Sequence, residues 1–202
     1  MPPPTDSSNA AAPARRSYRV LWLVLAVCAA PVIASYFAYY VFPPEGRTNY
    51  GELVMPQRPL PPLALRQLDG TPFDARSLLG KWVMVQVAPG DCDAACAERL
   101  YNMRQVRATT GRERDRIERV WLVSDAAPLS TAIMREHDGT FFLRAQPAEL
   151  ERFLAVPPGG RLTDHIWIID PLGNQMLRWP RDADPNKMKR DMNKLLKASR
   201  VG

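Results

Sequence analysis

Cysteine and histidine are scarce in this chain: three and two among 202 residues. Three thiols, two of them close together, do not make the paired framework on which small disulfide-rich scaffolds rely. No internal repeat and no nucleic-acid-binding motif is present. The formal charge of +6 therefore points to an acidic protein partner or a lipid surface rather than to nucleic acid. Charge is also missing from Leu21 to Phe42, and a water-exposed segment has no use for so long an apolar run.

What is present divides the chain. Residues 1–17, rich in Pro, Ala and Ser without periodicity, read as a disordered tail. Residues 18–42 read as a transmembrane anchor, long enough at ~20 residues per span, with Pro31 expected to kink it and the aromatics between Tyr36 and Phe42 forming an interfacial belt. Arg15, Arg16 and Arg19 flank one end, while Pro43, Pro44 and Glu45 follow the other. The positive-inside rule then puts the N-terminus in the cytoplasm and the rest outside, in the periplasm of a bacterial inner membrane. A cleaved signal peptide is the rival reading, but its apolar region runs to only ~7–15 residues, and Ala34-Ser35-Tyr36 is a poor cleavage site. Cys28 falls within this run and is expected to face lipid or pack. The 20 prolines cluster at the N-terminus and again through residues 43–62, which read as a linker.

From residue 63 to residue 200 the pattern is that of one α/β domain with a mixed sheet. Leu63–Leu68 reads as a short strand, and Trp82–Val87 as a central strand covered on both faces. Cys96, Leu100, Met103 and Val106 form one face of a helix, with Glu98, Arg99, Arg104 and Arg107 on its polar face. Strands are expected at Ile117–Val123, Phe141–Leu143, Ile166–Asp170 and Gln175–Trp179, and helices at Pro128–His137 and Ala148–Leu154. The last helix has a legible start, with Asp184 as N-cap and Pro185 at the first position. Its apolar face is Met188, Met192, Leu195 and Leu196. Its lysines and Arg190 read as a solvated surface.

The chemistry concentrates in Cys92-Asp93-Ala94-Ala95-Cys96. Thiols at i and i+4 share one face of a helix, and here they open one, where exposed N–H groups and the helix dipole favour thiolates. Asp93 between them opposes that effect. Such a pair suits disulfide exchange or a soft metal. A plain stabilising disulfide is a third reading, although closing so short a loop gains little entropy. His137 lies in a polar stretch and is expected to be exposed. His165 precedes a strand, at the end of the sheet where sites form. It reads either as an ordinary histidine or as a third ligand oriented by Asp164. Two thiolates and an imidazole make a soft set suited to copper, whereas zinc would want a fourth ligand.

Four features in order resemble the Sco/SenC family, thioredoxin-fold assembly factors of cytochrome c oxidase. They are the anchor with a Pro-rich lead-in, Leu79-Gly80-Lys81-Trp82 entering a strand, the spaced pair Cys92 and Cys96, and Asp164-His165 before Ile168-Ile169-Asp170-Pro171-Leu172-Gly173. The likeness covers Leu53 to Lys197. It implies a thioredoxin-like fold and copper, Cu(I) or Cu(II), held by Cys92, Cys96 and His165. The partners it implies are the copper-site subunit of cytochrome c oxidase and periplasmic copper donors or thiol reductants. His165 stands where thioredoxin relatives place a cis-proline, which favours metal handling. Asp93 and Ala97 replace the prolines that usually follow the cysteines, and Pro89-Gly90-Asp91 replaces an aromatic-Thr lead, so the branch is divergent. Two other functions fit the residues. One is a thiol-disulfide reductase, with Cys92 attacking and Cys96 resolving. The other is a redox-inert module binding through its basic last helix.

Overall fold

A computed structural model describes residues 18–41 and 49–199. The expected tail at residues 1–17 and the first part of the expected linker lie outside the described residues. Two compact units divide between Arg47 and Thr48. The first contains α1, Tyr18–Val41, which continues through Pro31. Its apolar side chains are exposed all round, and Cys28 is a free, exposed cysteine. A helix this apolar, with no polar face, matches a hydrocarbon surrounding rather than water.

The second unit is built on a mixed sheet. Its strands are β1 (Glu52–Pro59), β2 (Leu65–Gln67), β3 (Pro72–Phe73), β4 (Trp82–Ala88), β5 (Ile117–Val123), β6 (Thr140–Arg144), β7 (Ile166–Ile169) and β8 (Asn174–Trp179), in the order β1-β8-β7-β4-β5-β6-β2-β3. The centre, β4-β5-β6, is parallel, and β7 joins β4 antiparallel. Glu52–Pro59 corrects the linker reading of residues 43–62, because this segment pairs antiparallel with β8 as an edge strand. Its prolines argue for a linker, yet an edge strand tolerates proline because one side of it needs no ladder bonds.

Two apolar layers sandwich the sheet. On one face α2 (Ala94–Thr109) and α5 (Pro185–Ala198) pack Met103, Val106, Met188, Met192, Leu195 and Leu196 onto Trp82, Met84, Ile166 and Ile168. On the other, α4 (Pro147–Phe153) brings Leu150 and Phe153 onto Val83, Val85, Val120 and Trp167. A short helix α3 (Thr131–Glu136) lies between β5 and β6. The Asp184 side chain accepts from Asn186 N, as its capping position requires. One residue of α5, Asp191, is buried and tied to distant chain. Its carboxylate accepts from the backbone of Tyr50 and Gly51 at 2.9 and 2.7 Å and from Trp179 Nε1 at 3.1 Å.

Two sequence expectations on polar residues are corrected. His137 is only 2% exposed, because the turn after α3 folds inward and places it near Arg119, whose Nη2 donates to Asp138 O. Arg99, assigned to a polar face, is buried as well. Burial also pulls the His137 imidazole below its ordinary value of 6.5.

Asp191→Ala should destabilise the domain by roughly 2–4 kcal/mol, since three donors, two of them buried, lose their shared acceptor. Urea unfolding with a loss below about 1 kcal/mol would show that water replaces the carboxylate. His137 binds its proton more weakly folded than unfolded, so the unfolded state takes up protons first as pH falls. Stability should therefore drop as pH falls below 6.5, and His137→Gln should flatten that slope in urea titrations at several pH values.

Candidate functional site

The site begins where β4 ends. Pro89-Gly90 turns the chain, and Gly90 N donates to Asp125 Oδ1 at 2.9 Å. The turn lies tight against the loop after β5, where a Cβ at Gly90 would meet Ala127 O at 2.5 Å. Arg144 donates to the carbonyls of Asp125 and Ala127, fixing that loop from β6. Cys92 follows with φ of +40°, a left-handed conformation that costs a non-glycine residue about 1 kcal/mol or more. Asp93 then caps α2, its side chain accepting from Cys96 N at 2.8 Å.

Cys92 and Cys96 are joined as a disulfide, with Cα atoms 5.2 Å apart. The two sulfur-bearing residues differ in access: Cys92 is 9% exposed and Cys96 1%. Around them pack Ala88, Leu100, Trp121 and Val123. One polar group enters this apolar nest. Gln86 of β4 donates from Nε2 to Cys96 Sγ at 3.0 Å and to Cys96 O at 3.1 Å. The sequence reading missed Gln86. The available signal was a single amide inside an otherwise apolar strand.

His165 sits at the same end of the sheet, directly before β7, whose Ile166 pairs with Gln86. Its Nδ1 lies 2.9 Å from Trp179 O. A carbonyl only accepts, so Nδ1 carries a proton, and in a neutral ring Nε2 is left with its lone pair. The ring packs edge-on against Trp167. Asp164 does not orient this ring as expected. Burial raises the Asp164 carboxyl, but hydrogen bonds from Arg161 outweigh it and bring it below its ordinary value. Trp179 O does the orienting instead, a contact made by the β7–β8 hairpin and hidden from sequence adjacency.

Arg99 links the two halves of the site. Burial lowers its guanidinium, and the carboxylates of Asp93, beside Cys92, and Asp164, beside His165, pull it back up. The cysteine and histidine segments thus lie within electrostatic reach of one side chain. Among the described residues no three His, Cys, Asp or Glu side chains are gathered to hold a metal ion. The structure brings Cys92 and Cys96 together and leaves His165 against Trp167 and Trp179. A cavity of about 660 Å³, lined by Val87, Ser124, Arg58, Arg161 and Thr163 among others, opens at the ends of β4 and β5, the edge where α/β sheets bind ligands.

A central β4-β5-β6 sheet, a cysteine pair at the start of the helix after β4 and a β7–β8 hairpin define a thioredoxin-like domain. The chain belongs to the family described as transmembrane-like, thioredoxin-like, C-terminal domain, whose model matches residues 82–199. Yeast Sco1 has a similar fold at 17% identity and a TM-score of 0.58, over 72% of this chain and 98% of that one. The copper-bound form of yeast Sco1 gives 16% and 0.53, over 70% and 94%. The thioredoxin domain of a thiol-disulfide oxidoreductase from Bacteroides vulgatus gives 14% and 0.52, over 71% and 99%. No curated protein matches the chain by sequence. The fold expectation, thioredoxin-like with an apolar N-terminal helix, is met, and so is the fold likeness to Sco/SenC proteins.

Because the atom that Gly90 would strike is backbone and cannot swing away, Gly90→Ala should cost about 1–3 kcal/mol. Urea unfolding checks this, and a change under about 0.5 kcal/mol would show that the loop at Ala127 yields.

Proposed function

We propose that the chain is a membrane-anchored, periplasm-facing carrier of copper for the copper-site subunit of cytochrome c oxidase. Copper is its cargo, and Cys92, Cys96 and His165 are the donors. The observation that carries this reading is the contact of His165 Nδ1 with Trp179 O. With Nδ1–H given to Trp179 O, Nε2 is the free donor atom, the arrangement in which an imidazole serves a metal and its other nitrogen is held. Brought together after reduction, two sulfurs and this nitrogen would make a soft donor set that suits Cu(I). Copper-bound Sco structures, from yeast at 16% identity among others, support the same reading by fold. The arginines at 15, 16 and 19 support a cytoplasmic N-terminus and a domain in the periplasm of an inner membrane.

The sulfurs become donors only after reduction. An external dithiol gives two electrons and two protons, becomes a disulfide itself, and leaves Cys92 and Cys96 as thiols. Asp93 holds the start of α2 around Cys96 through this change, and Trp179 O holds the ring of His165. Periplasmic copper donors and thiol reductants are the partners this scheme requires.

A second reading is favoured by the disulfide itself: a reductase acting on cysteines of the same oxidase subunit, with Cys92, the more accessible residue, attacking and Cys96 resolving. The fold likeness to a thiol-disulfide oxidoreductase is compatible with it.

Cu(I) titration of the reduced chain in detergent separates the two. A carrier should bind one equivalent tightly and lose that binding in both His165→Ala and Cys92→Ala. Binding untouched by His165→Ala would sink the three-donor site. If Cys96→Ala then accumulates a covalent mixed disulfide with an oxidase subunit, reduction is the function.

A further inference from the structure

We propose that Gln86 is a catalytic residue of disulfide opening: its amide receives the charge that develops on Cys96 Sγ when a thiolate attacks Cys92. The inference rests on the reading that the Cys92–Cys96 bond opens in use, which both functions above require.

Gln86 is 0% exposed and lies in a strand whose other side chains are all apolar. Both N–H groups of its amide are spent on one residue, Cys96 Sγ at 3.0 Å and Cys96 O at 3.1 Å. Its Oε1 is buried without a partner. Turning the amide over would set Oε1 against a carbonyl oxygen and a sulfur, both acceptors, so the chemistry of the neighbours fixes the orientation. An unsatisfied buried carbonyl costs on the order of 1–3 kcal/mol, and an apolar side chain of similar shape would avoid that cost. The amide thus weakens the fold locally while aiming a donor at one sulfur of the pair.

That donor fits the course of the reaction. An incoming thiolate meets Cys92 first, since Cys92 is 9% exposed and Cys96 1%. A bond forms between the incoming sulfur and Cys92 Sγ, the Cys92–Cys96 bond breaks, and its electron pair moves onto Cys96 Sγ. The N–H of Gln86 already points at that atom, in an apolar nest of Ala88, Leu100 and Trp121. A preplaced donor in a dry site stabilises developing charge without reorganising. Asp93 is spent on Cys96 N and contributes no donor to the sulfur. Gln86 therefore selects Cys96 as the leaving sulfur as well as easing its departure. In the return direction the same bond holds Cys96 Sγ in place to attack the mixed disulfide on Cys92 and expel the external thiol.

The test uses the oxidised full chain in detergent. The rate of opening by dithiothreitol is followed by alkylation and mass spectrometry, and the sulfur that first takes up glutathione is mapped by peptide. Gln86→Leu and the similarly shaped Gln86→Met both remove the N–H donor and put no other donor in its place. Each should slow opening by roughly tenfold or more, and glutathione should no longer be confined to Cys92. In concentrated urea all three proteins should open at the same rate, which a general change in thiol chemistry would not produce. Gln86→Met serves if Gln86→Leu fails to fold. An unchanged rate in either folded variant overturns the proposal, as does glutathione on Cys96 in the parent protein. Loss of the copper-carrier reading would leave these rates untouched, so the two failures are separable.

Discussion

Every side chain of β4 is out of water, and this is possible only because apolar layers close on it from both sides. Trp82 and Met84 are covered by α2 and α5, while Val83, Val85 and Val87 face the layer built by α4. A strand held this way cannot slide by one residue, because a slip would exchange the two faces. The fixed register has a chemical result. It brings Gln86 under the first turn of α2 and delivers the chain, two residues past Ala88, to the turn that carries the cysteines. The sulfur pair is therefore placed by the core rather than by the loop that bears it.

The loop adds its own constraints from the opposite direction. Gly90 has no room for a side chain against Ala127, and Asp125 accepts from its backbone, so the chain after β5 acts as a stop for the chain after β4. Arg144 in turn ties that stop to β6. Cys92 absorbs the remaining geometry with a left-handed backbone. Strain at one of two bonded cysteines, and its absence from the other, gives the pair unequal ends before any partner arrives.

Much of this was legible in the sequence, and the failures share a cause. The central strand, the cysteine helix and the start of the last helix were readable because each is decided locally, by an apolar run, an i, i+4 spacing, or Asp184 followed by Pro185. The edge strand at Glu52–Pro59 was not, because its prolines argue for a linker and its pairing with β8 lies more than a hundred residues away. His137 and Arg99 looked solvent-facing from their polar neighbours, yet tertiary packing turned both inward. Adjacency alone points to Asp164 as the partner of His165. The hairpin instead offered Trp179 O, and Asp164 went to Arg161. The apolar and capping signals are one-body properties of the sequence. The polar pairings are two-body properties that only the fold decides.

The Gln86 contact also bears on which chemistry the pair performs. A hydrogen bond to sulfur draws electron density from it, which stabilises a departing or waiting thiolate and makes the same sulfur a poorer donor to a metal. A site built for permanent copper would gain from leaving Cys96 unencumbered, or from hydrogen bonds placed only on its outer ligands. A site built to release copper, or to return electrons to a client disulfide, gains from the opposite arrangement. The buried amide at 3.0 Å from Cys96 Sγ therefore suits the proposed transfer better than storage, since under either proposed function the bond to Cys96 is one that must be let go.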